Sequence, residues 1–334
     1  MGTYLEQRRE KARTRLKTLR EKLKETDALL SDKACVYVTG SFGRHEAGTH
    51  SDLDLFIVGK PNHVRDHGGE SPRRELTRLD EIRVKAALID AARDLGFPDF
   101  SGDGEYLVHY TGLDLIKTLG RPDDDVRNTF TARLLLLLES QPLLGESTYN
   151  ATIEDVVAAY WEDYETHGKN FRPAFLVNDI LRLWRTFCVN YEAKTSKEPA
   201  EKKAKRKLKN YKLKHSRLQT CYSAIAFFLA LYRNNDTVNP QDVVAMVKLT
   251  PTQRLEKLST DFDKSLKAPV DTLISSYETF LKNTDKEGDE ILGVFMDRKK
   301  SRKLSEEAND FGDHFADLLL RLGERNPLYR LLIV

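Results

Sequence analysis

The chain has 334 residues, 40% hydrophobic and 32% charged, with 11 Pro and 18 Gly. That length and mix suit one large domain or two of ordinary size around a real core, and they exclude a disordered, collagen-like or low-complexity protein. The net charge of +2 conceals one basic stretch: Lys194–Arg217 holds 11 Lys/Arg against 2 Glu, and the remainder holds 43 Lys/Arg against 50 Asp/Glu. A mildly acidic globule with one basic segment lacks the broad cationic face of a general nucleic-acid binder, so stable DNA binding is not expected.

The longest apolar stretches, Leu134–Leu138 and Ala224–Tyr232, fall far short of the roughly 18–20 residues that span a bilayer. Met1–Lys24 is charged throughout and has no apolar leader region. The cysteines Cys35, Cys188 and Cys221 stand in apolar settings without metal-ligand spacing, which reads as buried reduced thiols. A cytoplasmic protein with no membrane partner is the expectation.

Residues 4–30 read as one long polar helix with sparse leucines, packing a single stripe. Val36–Thr39 is a short β-rich run closed by the turn Gly40-Ser41-Phe42-Gly43. Asp52–Val58 alternates as a strand. Pro61–Arg73, polar and holding Pro, Gly and His, reads as an exposed loop, and Arg74–Leu95 as a helix ending at Gly96. Glu105–Tyr110 is the third strand candidate. Beyond Gly112 the strand signals nearly vanish, and helices are predicted at 124–141, 152–166, 174–192, 212–233, 239–247, 264–283 and 303–323. The outline is α+β: a small mixed-sheet α/β domain over 1–120, and a mostly helical domain over 121–334, divided near Gly120-Arg121-Pro122.

The chemistry concentrates in Val36-Tyr37-Val38-Thr39-Gly40-Ser41-Phe42-Gly43-Arg44 and, after six residues, Ser51-Asp52-Leu53-Asp54-Leu55-Phe56-Ile57. Side chains two apart on a strand share a face, so Asp52 and Asp54 project together while Leu53, Leu55 and Ile57 anchor the other side. Two carboxylates that close repel unless a cation lies between them or one is protonated. A paired-carboxylate strand beside a Gly-Ser turn is what divalent-metal phosphoryl transfer requires: acids for Mg²⁺, and turn N–H groups with a hydroxyl for phosphate oxygens. Asp-x-Asp alone is a weak signal, common in solvated strands; Gly40-Ser41 and the apolar flanks make it specific.

This segment resembles the polymerase-β nucleotidyltransferase superfamily: an apolar strand, Gly-Ser, a short spacer, then Asp-x-Asp. Within it, Gly43-Arg44-His45-Glu46 and His50-Ser51-Asp52-Leu53-Asp54-Leu55 look most like the transferase domain of bacterial PII-protein uridylyltransferases and their short relatives. Leu107-Val108-His109-Tyr110 with Asp124–Gly145, and Asn210-Tyr211-Lys212, are weaker echoes. The chain has no His-Asp dipeptide, so the hydrolase half of those enzymes is not carried over. The resemblance implies Asp52 and Asp54 as ligands of Mg²⁺ (or Mn²⁺), and Gly40, Ser41, Arg44, Asn210 and Lys212 as contacts to an NTP such as ATP. It also implies a third carboxylate from a later strand, for which Glu105 leads, with Asp103 and then Asp114 behind it.

Elsewhere, Asn178, Arg182 and Arg185 share one helix face, opposite Leu176, Ile180, Leu183 and Phe187. That face reads either as a phosphate contact or as a solvated surface paired with acids such as Asp179. Leu134–Leu138 with Leu143 and Leu144 is core. His45, His50, His63 and His67 read as turn residues rather than zinc ligands. Lys202–Lys207 reads as a solvated loop or acceptor-docking patch. From Asn210 the apolar stripe Leu213, Ile225, Phe228 and Leu229 predicts a new helix, placing Lys212 near its N-terminus, a position suited to a triphosphate.

The expected activity is metal-dependent transfer of a nucleoside monophosphate from NTP to an acceptor hydroxyl, with release of pyrophosphate and a helical domain closing over the nucleotide. The acceptor favoured is a protein taking AMP or UMP. The alternatives are a nucleotide second-messenger synthase, an RNA 3′-end transferase and, in another class, a non-catalytic nucleotide- or RNA-binding regulator, against which the intact acid pair argues.

Overall fold

The computed structural model describes residues 3–66, 69–100, 104, 107–192 and 200–333. By contacts the chain divides into two compact units, Met1–Ala159 and Tyr160–Val334.

In the first unit, α1 (Tyr4–Lys22) opens on a capping box in which Thr3 and Glu6 satisfy each other's backbone N–H groups. Leu5, Ala12, Leu16 and Leu19 form its buried stripe. A break at Leu23 separates α1 from α2 (Lys24–Leu30), so the predicted single helix is two. Leu23 itself is 1% exposed, and packing of this leucine holds the chain at the break. β1 (Ala34–Thr39) is buried over its whole length, and leads into the one-turn helix α3 (Gly40–Gly43). β2 (Asp54–Gly59) follows a ten-residue loop.

Pro61–Arg73, predicted as a loop, is instead a hairpin: β3 (Pro61–Asp66) pairs antiparallel with β4 (Gly69–Arg74). Ladder hydrogen bonds are made by the backbone, so a polar composition does not forbid them. α4 (Arg78–Asp94) starts at the Thr77 cap and ends before Gly96. β5 (His109–Thr111) runs one residue past the predicted end, and Leu107 and Val108, predicted within the strand, lie before it. It is followed by α5 (Gly112–Lys117), α6 (Asp123–Val126) and α7 (Thr129–Glu139), then β6 (Gln141–Leu144) and α8 (Glu146–Tyr160).

The sheet order is β5-β2-β1-β6, with β1 antiparallel to both neighbours and β2 parallel to β5. This is the small mixed sheet expected. On one face Val36, Val38, Leu55 and Ile57 bury against leucines of α1 and α2 and against Val84 and Leu88 of α4. On the other, Tyr37 stacks on Phe56 at 5.5 Å, lies 6.0 Å from Tyr149 of α8, and donates to the Ala132 carbonyl of α7. β6 belongs to this sheet, whereas the sequence reading draws its boundary near residue 120. Cys35 and Cys221 are buried as expected, while Cys188 is only half-buried; all three are free thiols.

In the second unit, the short α9 (Tyr164–His167) precedes α10 (Ala174–Glu192). α11 (Ala200–Lys212) runs through a π-helical turn at Leu213–Arg217 into α12 (Leu218–Asn235). Then come α13 (Pro240–Val247), α14 (Pro251–Lys257), α15 (Lys267–Thr284), α16 (Gly288–Met296) and α17 (Arg298–Gly323). α12 is buried on nearly all sides from Gln219 to Tyr232 and forms the unit's axis. Beside it, His215 stacks between Phe280 at 4.5 Å and Phe311 at 4.8 Å. No described helix is long and apolar enough to cross a membrane.

Candidate functional site

The site begins where β1 ends and β2 starts. Thr39 and Asp54 are cross-strand partners, so the strand register carries the turn after Thr39 and the carboxylate of Asp54 to one edge of the sheet. Leu53, Leu55 and Ile57 are buried at 4%, 3% and 0% exposure, while Asp52 and Asp54 are half-exposed. The predicted alternation is therefore present, although Asp52 lies in the loop just before the strand rather than within it. From Phe56 onward both faces of β2 are covered, which leaves Asp54 as the strand residue at the open end.

Gly40 is required there twice over. Its φ of +62° is left-handed, and a Cβ would lie 3.3 Å from Asp54 Cγ and overlap Oδ2. The carboxylate thus packs directly on the turn's backbone. Ser41, half-exposed, follows in α3, and its carbonyl accepts from the Glu46 N–H at 2.7 Å. In a helix of one turn the first N–H groups have no intrahelical acceptor.

Arg44 sits elsewhere than the resemblance implies. It is 6% exposed, donating through Nε to Glu46 Oε2 at 2.8 Å and through Nη1 to Glu139 Oε2 at 2.7 Å. Both acids are buried. A Cβ on Gly43 would overlap the Glu139 carbonyl, so the turn packs backbone to backbone on the last residue of α7. Arg44 is a clamp between turn and helix, and its charge is spent on two carboxylates.

The loop that delivers the acid pair is held from α1. Arg8 donates twice to the Glu46 carbonyl, at 3.1 and 2.7 Å, and Arg15 donates to the Gly48 carbonyl at 2.6 Å. The Arg15 guanidinium also lies over the rings of Phe97 (4.3 Å) and Phe42 (5.1 Å). Burial, and then the charge of Arg8, lower its pKa from the ordinary value. Burial, with the charges of Arg13, Arg20 and Arg9, pushes the His45 imidazole down to about 4. Sequence reasoning missed Arg8, Arg15 and Glu139. The signal for Glu139 was present as a lone acid closing the Leu134–Leu138 run.

The third carboxylate, Glu105 or Asp103, lies outside the described residues. Asp114 is engaged in capping α5, accepting from both the N–H and the hydroxyl of Thr111. Among the described residues there is no group of three or more His, Cys, Asp or Glu that could hold a metal. His67 lies outside the described residues. The pair Asp52/Asp54 still offers the hard oxygen donors that Mg²⁺ or Mn²⁺ takes.

In the second unit, Asn178, Arg182 and Arg185 do share a face, and they line a cleft of about 430 Å³ with Leu181, Val189 and residues 331–333. Asp179 is 5% exposed, accepts from the Tyr160 hydroxyl at 2.6 Å and faces Arg182 at 3.8 Å, so the predicted acid pairing is also present. Asn210 and Lys212 do not open a helix. They close α11, which the π-helical turn joins to α12, and Lys212 is exposed. The run Lys202–Lys207, predicted as a loop, is helical, so no free N–H groups stand near Lys212.

Residues 16–101 match the family model of the nucleotidyltransferase domain. That stretch takes in β1, the Gly40-Ser41 turn, Asp52 and Asp54, and agrees with the polymerase-β-like character of the motif. No curated protein and no solved structure matches the chain. The first unit carries a nucleotidyltransferase domain, and the protein is a nucleotidyltransferase enzyme.

Proposed function

We propose that the enzyme moves a nucleoside monophosphate from NTP to an acceptor hydroxyl. The oxygen of the acceptor attacks the α-phosphorus, the bond to the bridging oxygen breaks, and pyrophosphate leaves. The observation that carries this reading is the packing of the Asp54 carboxylate on Gly40, which sets an acid directly beside the first turn of α3.

Asp52 and Asp54 would hold the divalent ion, Mg²⁺ or Mn²⁺, which when bound neutralises phosphate charge and polarises the phosphoryl group. Ser41 and the turn's N–H groups orient phosphate oxygens, and the Arg44 clamp with Arg8 and Arg15 keeps the turn from moving. Glu105, or Asp103 in its place, takes the proton of the attacking hydroxyl. Catalysis on this account is mostly positioning and charge neutralisation.

Two acceptors are in play. The likeness of Gly43–Glu46 and His50–Leu55 to the PII-protein uridylyltransferases favours a protein hydroxyl. The exposed cationic surface of α11 favours the second, an RNA hydroxyl. Incubation of the whole enzyme with each α-labelled NTP and Mg²⁺ or Mn²⁺, with protein and RNA fractions present, tests the reading. Label is expected on polypeptide or RNA; label only in a small new nucleotide, or none with any NTP, contradicts it.

A further inference from the structure

Between Ala200 and Arg217 the sequence places nine Lys/Arg against one Glu. Folding gives that run a shape. Ala204, Leu208 and Tyr211, at i, i+4 and i+7, form the inward stripe of α11, with Ala204 at 1% and Tyr211 at 3% exposure. Lys202, Lys203, Lys205, Lys207, Lys209 and Lys212 are all exposed and spread over the rest of the helix circumference. Lys205 pairs with Glu201 at 2.7 Å. Lys202, Lys203, Lys207 and Lys209 form no ion pair among the described residues.

A second basic run, distant in sequence, opens the helix α17 that packs on α11. α17 opens with Arg298-Lys299-Lys300-Ser301-Arg302-Lys303, in which Ser301 is buried and all five cations are exposed. α17 packs on α11 and on the π-helical turn after it: Lys207, Asn210 and Tyr211 line a small cleft with Ser305 and Ala308, and Lys214 Nζ, in the turn, donates to Asn309 Oδ1 at 2.7 Å. Arg302 and Lys303 are paired with Glu306 and Glu307, at 2.8 and 3.9 Å. Arg298, Lys299 and Lys300 occupy the first turn of a long helix, where cations oppose the macrodipole. Beside them the Asp297 N-cap accepts from the Lys299 and Lys300 N–H groups, and this hydrogen bonding, together with the two lysine charges, lowers its pKa.

We propose that α11 and the start of α17 together dock the phosphate backbone of double-stranded RNA. Flexible, strongly hydrated lysine point charges suit a regular array of phosphates and impose no geometry of their own. Among the described residues of α11 and of 298–303 no large apolar side chain is exposed, so neither membrane insertion nor stacking of unpaired bases has a platform. Backbone recognition of a duplex needs neither. As a route for recruiting an acceptor this rests on the nucleotidyl-transfer reading; as a binding surface it stands alone.

The test is fluorescence anisotropy of a labelled RNA hairpin with the full chain over a series of salt concentrations. The variants are Lys202→Gln/Lys203→Gln/Lys207→Gln/Lys209→Gln and, separately, Arg298→Gln/Lys299→Gln/Lys300→Gln. Each should weaken binding at least about tenfold at low salt, and reduce the salt slope by roughly 0.7–0.9 for every phosphate left without its cation. Lys→Arg at the first four positions should restore both, which separates charge from folding. Unchanged affinity and slope in both variants would overturn the proposal. So would tighter binding to a DNA duplex, to acidic protein or to anionic vesicles than to RNA. Asp54→Ala keeps the two readings apart: it should bind RNA like wild type while losing turnover. Retained turnover in that variant would sink the catalytic reading alone, and an RNA-blind wild type would sink the surface alone.

Discussion

The acid pair of the first unit and the basic helix of the second are built on opposite plans. Asp54 is where it is because Thr39 pairs with it, Gly40 makes room for it, and Arg44, Arg8 and Arg15 hold the adjoining loop. Each part depends on the others. The exposed lysines of α11 share a helix, and Lys202, Lys203, Lys207 and Lys209 form no ion pair among the described residues. Interlocked parts couple and independent ones add. Single substitutions should therefore be severe at the first region and slight at the second.

The largest effect is expected at the carboxylates. Asp52→Ala and Asp54→Ala should each lower turnover by more than tenfold, at least about 1.4 kcal/mol of transition-state stabilisation, while unfolding midpoints in metal-free buffer hold or rise because like-charge repulsion is relieved. Gly40→Ala comes next. It adds roughly 1–2 kcal/mol of left-handed strain and drives the Asp54 carboxylate from its place. Ser41→Ala removes one hydroxyl from a cradle otherwise made of backbone and should be milder in an NTP-binding titration. Equal tolerance at both positions would mean that the turn is only structural.

Arg44→Ala sharpens the contrast from another side. It removes the cation shared by Glu46 and Glu139, whose side chains are 1% and 0% exposed, and should cost about 3–5 kcal/mol of stability in urea denaturation. Arg44→Lys keeps a charge but not the fork, and should recover only part of it.

Histidine titration should be felt in both units. Burial holds His45 and His215 near pKa 4 in the folded chain, with neighbouring cations adding to it at each, from an ordinary value of 6.5. The unfolded chain then binds protons between about pH 6.5 and 4 that the folded chain refuses. Stability contributed by the neutral rings is complete above the upper value and is lost as pH falls through the lower one. His215→Phe, stacked between Phe280 and Phe311, should flatten the second unit's share of that slope. An unchanged stability-versus-pH curve would show that the ring is protonated in place. Smallest of all, single Lys→Gln changes on α11 should move stability by no more than about 0.5 kcal/mol.

The acid site was legible because its signal is local: a buried strand, a glycine turn, and acids alternating with leucines. Its supports were not, since Arg8, Arg15 and Glu139 meet the loop only through tertiary packing. β6 hid at the end of a leucine run, and Gln141-Pro142-Leu143-Leu144 is a strand only because β1 offers it an edge. The basic segment was misread at Asn210 for a related reason. A polar, lysine-rich stretch carries weak apolar periodicity, and a π-helical turn at Leu213–Arg217 shifts the stripe by one residue. The sequence showed a helix beginning where one in fact continues.

The central claim is that Asp52 and Asp54 drive nucleotidyl transfer beside Gly40. It is met most directly by pyrophosphate release from NTP, followed side by side for wild type and Asp54→Ala at saturating Mg²⁺ or Mn²⁺. The account predicts release by the wild-type enzyme and a loss of more than tenfold in the variant, with the fold intact by circular dichroism. Equal release by both proteins would contradict it.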